Sequence, residues 1–274
     1  MRSKLFVPGT RPELFGKALA SDADAISFDL EDSVPVEGKG AARARIAEFL
    51  RSDLARGSVK RLIVRVNGLD TPFGHDDCAA LTGGAAGMVN LPKVEAIDAV
   101  RILAAVTELP LLLTVETPCG LRQAAKLAAA HPRVVGLQAG LNDLFAPLGI
   151  ARVNREHVHA ALWQIRLAAA EAGCFAYDGA WPDIADEDGF CAEAELAQSL
   201  GYLGKSCIHP TQVALANERF AATDEVDAAR RLLRASETAA ARGHGAFAFE
   251  GQMVDRPAIE RARAVLAAVG RPQG

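Results

Sequence analysis

The feature that most constrains the fold is a regular alternation of short apolar runs with stretches of helical periodicity. Apolar runs of this length, rich in aliphatic residues, are typical of strands buried on both faces of a parallel sheet. We predict eight strands, at residues 4–7, 25–32, 62–66, 87–91, 111–115, 134–139, 175–177 and 203–208. Eight strand–helix units in about 220 residues predict an α/β protein with a (β/α)8 TIM barrel.

The residues after the eighth unit follow a different pattern. A helix is predicted at 224–242, then a glycine-rich alternating segment at 243–257, then a helix to about Val269. A barrel does not need these residues for closure, and their glycines and aromatic residues suit a lid or an arm exchanged between subunits. We therefore expect a catalytic barrel at 1–221 and C-terminal helices with a lid arm at 222–274.

Charge and composition exclude several classes of protein. The formal net charge is −4, so no overall basic surface indicates nucleic-acid binding. The five cysteines are scattered, and the sequence has no Cys-x-x-Cys pair of the kind that binds structural zinc. We expect reduced thiols and a cytoplasmic protein. The N-terminus does not look like a signal peptide, and no apolar run reaches the roughly 18 residues of a membrane span.

Two consecutive predicted strands end in carboxylates, and these are the candidates for a metal site. Glu116 follows the run 111–115, and Asp143 follows 134–139 after a short turn. The carboxyl ends of parallel strands form the ligand-binding edge of such folds. A charge buried there is costly without a compensating cation. Mg²⁺ commonly takes one or two protein carboxylates and leaves room for substrate and water, so Glu116 and Asp143 predict a magnesium site.

Three acidic residues crowd the end of the second predicted strand, and an arginine lies within the third. Asp29, Glu31 and Asp32 could serve catalysis, or could cap a helix or form a salt bridge with Arg65. Arg65 interrupts an otherwise apolar strand, and a buried guanidinium requires a carboxylate or phosphate partner. We favour functional roles for Arg65, Glu31 and Asp32.

Other polar residues near the strand ends carry weaker signals. We interpret Lys93 and Lys205 as solvated or ion-paired rather than as Schiff-base lysines, and leave His209 out of the metal ligands. Asp178 and Asp183 could line the rim or form a turn. No glycine-rich phosphate loop is present, so cofactor phosphates would be bound by side chains, for which the candidates are Arg2, Arg11 and Lys17.

Several ordered motifs together resemble the HpcH/HpaI aldolase and citrate lyase β-subunit superfamily, specifically its CitE-like acyl-CoA lyases. The resemblance covers nearly the whole length, and many motifs in one order are more specific than any one alone. They lie at residues 2–12, 28–32, 64–67, 91–93, 116–120, 140–143, 204–210 and 251–255. Many members have Gly-Ala-Glu-Asp where this chain has a glycine, Leu141, Asn142 and an aspartate, so one nearby negative charge is absent here.

The resemblance implies a TIM barrel, usually a homotrimer, in which Glu116 and Asp143 hold Mg²⁺. It implies that Arg65 grips the substrate carboxylate, with Glu31 and Asp32 behind the metal and substrate. It also implies that Asp255 reaches a neighbouring subunit's site as a catalytic acid or base.

The activity implied is Mg²⁺-dependent carbon–carbon cleavage of a β-hydroxyacyl-CoA, of the citramalyl-CoA or malyl-CoA type, to acetyl-CoA and a 2-oxoacid. Two other enzyme activities stay open: a metal-dependent aldolase acting on free 2-oxoacid aldols, and the β-subunit of a citrate lyase complex acting on a carrier-protein thioester. A barrel retained only as a binding or assembly protein is a further alternative. The combination of Arg65, Glu116 and Asp143 argues against it, since a scaffold has no need of these residues.

Overall fold

The computed structural model describes residues 1–221, 224–241 and 246–270. The chain divides into two compact units, Met1–Phe220 and Ala221–Gly274. In the first unit the strands are β1 Ser3–Pro8, β2 Ala25–Asp29, β3 Arg61–Arg65, β4 Met88–Leu91, β5 Leu111–Val115, β6 Val134–Ala139, β7 Phe175–Tyr177 and β8 Lys205–Cys207. Its helices are α1 Phe15–Leu19, α2 Lys39–Arg51, α3 Asp53–Arg56, α4 Gly74–Ala80, α5 Ile97–Val106, α6 Pro118–Ala128, α7 Leu141–Phe145, α8 Arg155–Glu171, α9 Glu187–Ser199 and α10 Pro210–Arg219.

The eight strands form one parallel barrel, which confirms the predicted fold. Each strand from β1 to β6 pairs with the next in sequence, and β1 also pairs with β8. The last gap, between β7 and β8, is bridged by backbone hydrogen bonds from Leu203 N to Ala176 O at 2.9 Å and from Asp178 N to Gly204 O at 2.9 Å. These bonds leave the strands without a free sheet edge along this seam.

The barrel interior changes from apolar to charged along the strands. Because residues two apart on a strand share a face, the inward positions can be followed from one end of the barrel to the other. Ala25, Ile63, Met88 and Leu112 form an apolar cluster at the lowest level. The buried polar residues two positions further along three of these strands are Ser27, Asn90 and Thr114, and the charged residues Asp29, Arg65 and Glu116 follow at the carboxyl ends. The polarity of the interior thus rises towards the expected ligand-binding end.

The outer faces of the strands pack against the helices in a continuous hydrophobic core. Phe15 of α1, Phe28 of β2 and Phe49 of α2 form one such contact, with ring centroids 5.0–5.4 Å apart. The edge-to-face geometry of Phe15 on Phe28 is a favoured arrangement for aromatic pairs. Burial on both faces explains why the strands read as apolar runs.

Some predicted boundaries are wrong, each for a local reason. The sequence predicts a helix at about 11–20 that Thr10 caps. The structure instead has a 3₁₀ turn, Pro12–Leu14, followed by the five-residue α1, and no side chain, including that of Thr10, caps either. The second strand ends at Asp29, three residues before the predicted end. The sequence also predicts one helix at about 40–54. In the structure this helix is interrupted at Ser52, whose hydroxyl accepts a hydrogen bond from Ala55 N and caps α3. Ser favours such caps over helix interiors.

The second unit contains α11 Asp224–Ala241, a hairpin of β9 Phe247–Phe249 and β10 Gln252–Val254, and α12 Arg256–Gly270. Glu250 and Gly251 have φ of 46° and 81°, which suits the two central positions of a tight hairpin turn. Glu250 also pairs with Arg231 of α11. The parts of the predicted C-terminal segment at 222–223, 242–245 and 271–274 lie outside the described residues.

We expect Gly204→Ala to destabilise the barrel at its closing strand. A Cβ at Gly204 would lie 2.3 Å from Met1 O and 2.4 Å from Arg2 O, so the backbone of β1 would have to move. Overpacking against rigid backbone costs roughly 1–3 kcal/mol or more, to be measured by urea unfolding. Gly40→Ala is the control, because its Cβ meets nothing within 4 Å and lies in α2, where alanine is favoured by about 1 kcal/mol. Equal stability of the two variants would contradict the expectation.

Candidate active site

A cavity of about 460 Å³ opens at the carboxyl ends of the barrel strands. It is lined by residues from seven strands or the loops after them: Phe6, Pro8, Asp29, Asp32, Ser33, Arg65, Glu116, Gln138, Ala139, Gly140, Leu141, Asn142, Asp143, Arg152, Ala180 and Ile208. The candidates Arg65, Asp32, Glu116 and Asp143 all belong to this lining, and Glu31 lies directly beside it through its contact with Arg65. Residues distant in sequence therefore meet at the ligand-binding end of the barrel, as the strand ends predicted.

Glu116 is the most deeply buried of the cavity carboxylates that lack an ion pair. Its side chain is 2 % exposed, and Oε1 accepts the backbone N–H of Lys93 at 2.6 Å. Gly140 packs against it so closely that a Cβ there would lie 2.6 Å from Oε2. Burial, assisted by the negative charges of Asp143 and Glu31, raises the pKa of Glu116 to about 8. The free carboxylate is therefore a high-energy state that a cation would relieve.

Asp143 faces the same cavity from the first turn of α7, where its carboxylate is exposed. Within the described residues, neither Asp143 nor Glu116 forms an ion pair with lysine, arginine or histidine. No group of three or more His, Cys, Asp or Glu residues that could hold a metal occurs in the same residues. Two carboxylates without a third protein ligand fit Mg²⁺, which keeps waters and takes substrate oxygens, better than Zn²⁺.

Arg65 lies between the cavity and the acidic strand end. Its Nε and Nη2 donate to the two carboxylate oxygens of Asp29 at 2.7 and 2.8 Å. Nη1 lies 3.2 Å from Glu31 Oε2 and 3.6 Å from Asp32 Oδ2. Burial opposes the charge on Arg65, but its hydrogen bonds to Asp29 outweigh burial and raise the pKa of Arg65. The salt bridge considered from the sequence is thus formed with all three acids, through two nitrogens with Asp29 and through Nη1 with Glu31 and Asp32.

Lys93 ties the acidic strand end to Glu116. Its Nζ pairs with Glu31 at 2.5 Å and with Asp32 at 3.0 Å, which agrees with the ion-paired interpretation. Its backbone has φ of 48°, an uncommon value for a residue with a side chain. The same residue donates its N–H to Glu116. Strained backbone is found at functional sites where surrounding contacts hold it in place.

A second charged cluster lies inside the barrel wall beside the cavity. Lys205 is fully buried, and its Nζ lies 2.6 Å from both Asp178 and Glu193. This burial confirms the ion-paired reading of Lys205. It also shows that Asp178 does not line the cavity rim, because its carboxylate is turned into the wall towards Lys205.

Arg152 joins this cluster to the cavity and was missed from the sequence. Its Nε and Nη2 donate to Glu193 at 3.0 and 2.5 Å. Its Nη1 donates to Asn142 Oδ1 at 2.6 Å and to Ala180 O at 2.6 Å. Arg152 therefore holds the residue that precedes Asp143. It comes from the loop before α8, outside any strand end, so strand periodicity gave no reason to select it.

The remaining candidates lie in different places. Arg2 precedes β1 at the opposite end of the barrel and pairs with Asp24 at 2.8 Å, so the structure does not bring it to this cavity. Arg11 follows β1 on the cavity side, is exposed and pairs with Glu13. Lys17 is exposed on α1. Asp255 belongs to the second unit, where its Oδ1 accepts Ala258 N at 3.2 Å and caps α12.

Comparison with known proteins places this site in a family. Residues 2–210 match the HpcH/HpaI aldolase/citrate lyase family. The chain belongs to this family. The citrate lyase subunit beta-like protein of Deinococcus radiodurans is 41% identical over 275 residues, covering 97% of this chain and 96% of that protein. The citrate lyase subunit beta of Escherichia coli K12 is 38% identical, with 97% and 92% coverage.

Solved structures agree with this family membership. The structure of CitE from Mycobacterium tuberculosis in complex with magnesium, acetoacetate and coenzyme A matches with a TM-score of 0.79 and 35% identity, covering 99% of this chain and 100% of that one. An L-malyl-CoA/beta-methylmalyl-CoA lyase of Cereibacter sphaeroides is 36% identical, with 97% and 93% coverage. This member of the HpcH/HpaI family is therefore a CitE-like carbon–carbon lyase. In the described part of the chain, no helix has the length and apolarity to cross a membrane.

We expect the stability of the metal-free protein to depend on pH through Glu116. Its pKa is about 8 when folded and near 4.5 when unfolded, so the folded state binds the extra proton between these values. The resulting stabilisation is present at low pH and is lost as pH rises through this window. In EDTA, Glu116→Gln should match the wild type near pH 5 and exceed it above pH 8 by roughly 1–3 kcal/mol, measured by urea unfolding.

Added Mg²⁺ should stabilise the wild type above pH 8 and leave Glu116→Gln unaffected, because binding to the folded state shifts the unfolding equilibrium. Glu48→Gln, at an exposed position of α2, is the control and should follow the wild type at every pH. A stability difference between Glu116→Gln and the wild type that does not change with pH would refute the assignment.

Proposed function

We propose that this CitE-like protein is a Mg²⁺-dependent lyase that cleaves a β-hydroxyacyl-CoA, of the citramalyl-CoA or malyl-CoA type, to acetyl-CoA and a 2-oxoacid. The observation that carries the proposal is Glu116, a buried carboxylate that faces Asp143 across one cavity without a cationic partner among the described residues. The M. tuberculosis CitE complex with magnesium, acetoacetate and coenzyme A supports the same ligand classes for this cavity.

In this proposal Glu116 and Asp143 hold the metal, which when bound supplies Lewis-acid stabilisation of negative charge on substrate oxygens. The N–H of Lys93 fixes Oε1 of Glu116, and the glycine at position 140 leaves the space that Oε2 occupies, since a Cβ there would lie 2.6 Å from it. Arg152 restrains Asn142 and thereby the turn that carries Asp143. The two carboxylates are thus positioned before any ligand arrives, which reduces the cost of ordering them on binding.

Arg65 orients the 2-oxoacid in this proposal. Asp29 holds two of its nitrogens, so the guanidinium is fixed in place, and Arg65 lines the cavity. Glu31 and Asp32 pair with Arg65 and also with the Nζ of Lys93. A substrate carboxylate would therefore meet a fixed cation rather than a mobile side chain, and near-attack geometry depends on such positioning.

Cleavage between Cα and Cβ requires two proton transfers: an acid–base group takes the hydroxyl proton as the Cα–Cβ electron pair forms the acetyl-CoA enolate, and a proton is delivered to the enolate carbon, so that no proton is gained or lost overall. We assign the second transfer to Asp255, from the neighbouring subunit of a homotrimer.

Arg11 and Lys17, both exposed on the segment after β1, are the proposed partners of the coenzyme A phosphates. The five cysteines, all within the described residues, form no disulfide bond, which supports the proposed cytoplasmic location.

Two related activities are the alternatives. A metal-dependent aldolase of the HpcH/HpaI type would cleave free 2-oxoacid aldols, and a citrate lyase β-subunit would act on a carrier-protein thioester. Assays of the purified protein with Mg²⁺ on citramalyl-CoA, malyl-CoA, citryl-CoA and a free 2-oxoacid aldol separate them. Activity only on the free aldol would favour the aldolase, and activity only with carrier protein and partner subunits would favour the citrate lyase subunit.

We expect Glu116→Ala and Asp143→Ala each to lower Mg²⁺-dependent cleavage at least 100-fold, because each removes one of two protein ligands. Circular dichroism should show an unchanged fold. Asp183→Ala is the control, since Asp183 is exposed, contacts the backbone of Ala185 and does not line the cavity. It should keep wild-type turnover. Near-wild-type activity of either ligand variant after EDTA treatment and return of Mg²⁺ would disprove the metal assignment.

We expect Asp255→Asn to keep Mg²⁺ and 2-oxoacid binding but to lose most thioester cleavage, because an amide cannot transfer the proton. Asparagine is as good a helix cap as aspartate, so α12 should keep its N-terminus. Inactive Asp255→Asn and inactive Glu116→Ala subunits, co-assembled in one oligomer, should regain partial activity. No recovery in verified mixed oligomers would show that Asp255 does not act across the subunit boundary.

A further inference from the structure

A buried lysine inside the barrel is not used by the proposed function. Lys4 of β1 is 0 % exposed, and its Nζ lies 4.6 Å from the ring centroid of Phe6 and 5.3 Å from that of Tyr177. Its Nζ donates to Gln138 Oε1 of β6. In the sheet order, β8 and β7 separate β1 from β6, so this hydrogen bond crosses the barrel interior instead of linking neighbouring strands.

Packing alone does not require this polar pair. The inward cluster of Ala25, Ile63, Met88 and Leu112 shows that apolar side chains fill the barrel well. Burying an amine removes it from water at a cost that one hydrogen bond only partly offsets. Burial, followed by the charge of Arg65, lowers the pKa of Lys4 well below its ordinary value. In either protonation state the amine still donates, so Oε1 is the amide atom that receives it.

Gln138 connects this pair to the active-site cavity. It pairs in register with Thr114, two residues before Glu116, and it lines the floor of the cavity. With Oε1 engaged by Lys4, the amide Nε2 of this cavity-lining residue has no hydrogen-bond partner among the described residues. Ser27 Oγ and Asn90 Nδ2 are sealed inside the barrel without partners, whereas Gln138 Nε2 is not among those enclosed atoms. The floor of the cavity therefore offers one oriented N–H donor.

We infer that Gln138 is a substrate-contacting residue whose Nε2 donates to an oxygen of the bound 2-oxoacid, and that Lys4 is the positioning residue that fixes the orientation of its amide. The inference rests on the proposed function and adds a specificity determinant to it. Without Lys4 the amide can rotate and present Oε1, an acceptor, to the negatively charged ligand. The pair thus favours ligands that place an oxygen at the cavity floor over ligands that place a methyl group there.

The test uses Gln138→Met and Lys4→Met, which remove the polar atoms at similar side-chain length, together with the double variant. Binding of pyruvate and of glyoxylate is measured by calorimetry with Mg²⁺ present, and thermal unfolding is measured alongside. Gln138→Met should weaken binding of the better 2-oxoacid about tenfold, the effect of a lost hydrogen bond to a charged group. Lys4→Met should weaken it about threefold, and the double variant should bind no more weakly than Gln138→Met.

That non-additivity separates positioning from a structural role. A structural lysine would lower the unfolding temperature when replaced and leave 2-oxoacid affinity unchanged. Gln138→Glu is the second variant, because it keeps an acceptor for Lys4 but turns a carboxylate oxygen towards the cavity. It should fold and bind 2-oxoacids more weakly than the wild type.

Wild-type affinity in both Gln138→Met and Gln138→Glu would overturn the inference while leaving the proposed function intact. Additive effects of the two methionine substitutions would overturn the positioning role of Lys4. Absence of Mg²⁺-dependent 2-oxoacid binding by the wild type would overturn the proposed function, and this inference with it.

Discussion

The burial of Glu116 is the constraint on which the rest of the site depends. A carboxylate with 2 % exposure is costly to ionise, and the backbone N–H of Lys93, together with the charge of Arg65, offsets only part of that cost. Asp143 adds a negative charge across the cavity and increases it. The contacts around Glu116 fix its position and leave its charge uncompensated, which is the arrangement of a cation site before the cation is bound.

Every other buried carboxylate among the described residues has a cationic partner within the protein. Asp29 is bound by two nitrogens of Arg65, and Lys205 lies between Asp178 and Glu193, the second of which also binds Arg152. Two cations and two anions make the wall cluster neutral as a group. Glu116 therefore differs from the other buried carboxylates of the described chain, each of which has a cationic partner.

Much of the fold and part of the site could be predicted from the sequence. The bounds of β5, β6 and β7 were predicted correctly because strands buried on both faces read as apolar runs. Arg65 stood out as a charge inside such a run. Arg2 lies before β1 and therefore at the amino end of the barrel, away from the cavity at the carboxyl ends of the strands. The contribution of Lys93 depends on its positive φ, which no side-chain pattern reveals.

Lys4 shows what strand periodicity can and cannot reveal about a barrel interior. Like Arg65, it is a charged residue in a strand, but it lies at the start of a predicted run, where a lysine reads as a solvated end. Only barrel closure, which brings β1 and β6 to face each other across the interior, gives its amine a partner in Gln138. The change from apolar to polar to charged residues along the barrel interior then has a chemical consequence. The polar layer lies directly beneath the charged one, so its side chains can orient groups at the cavity floor without exposing a second unpaired charge beside Glu116.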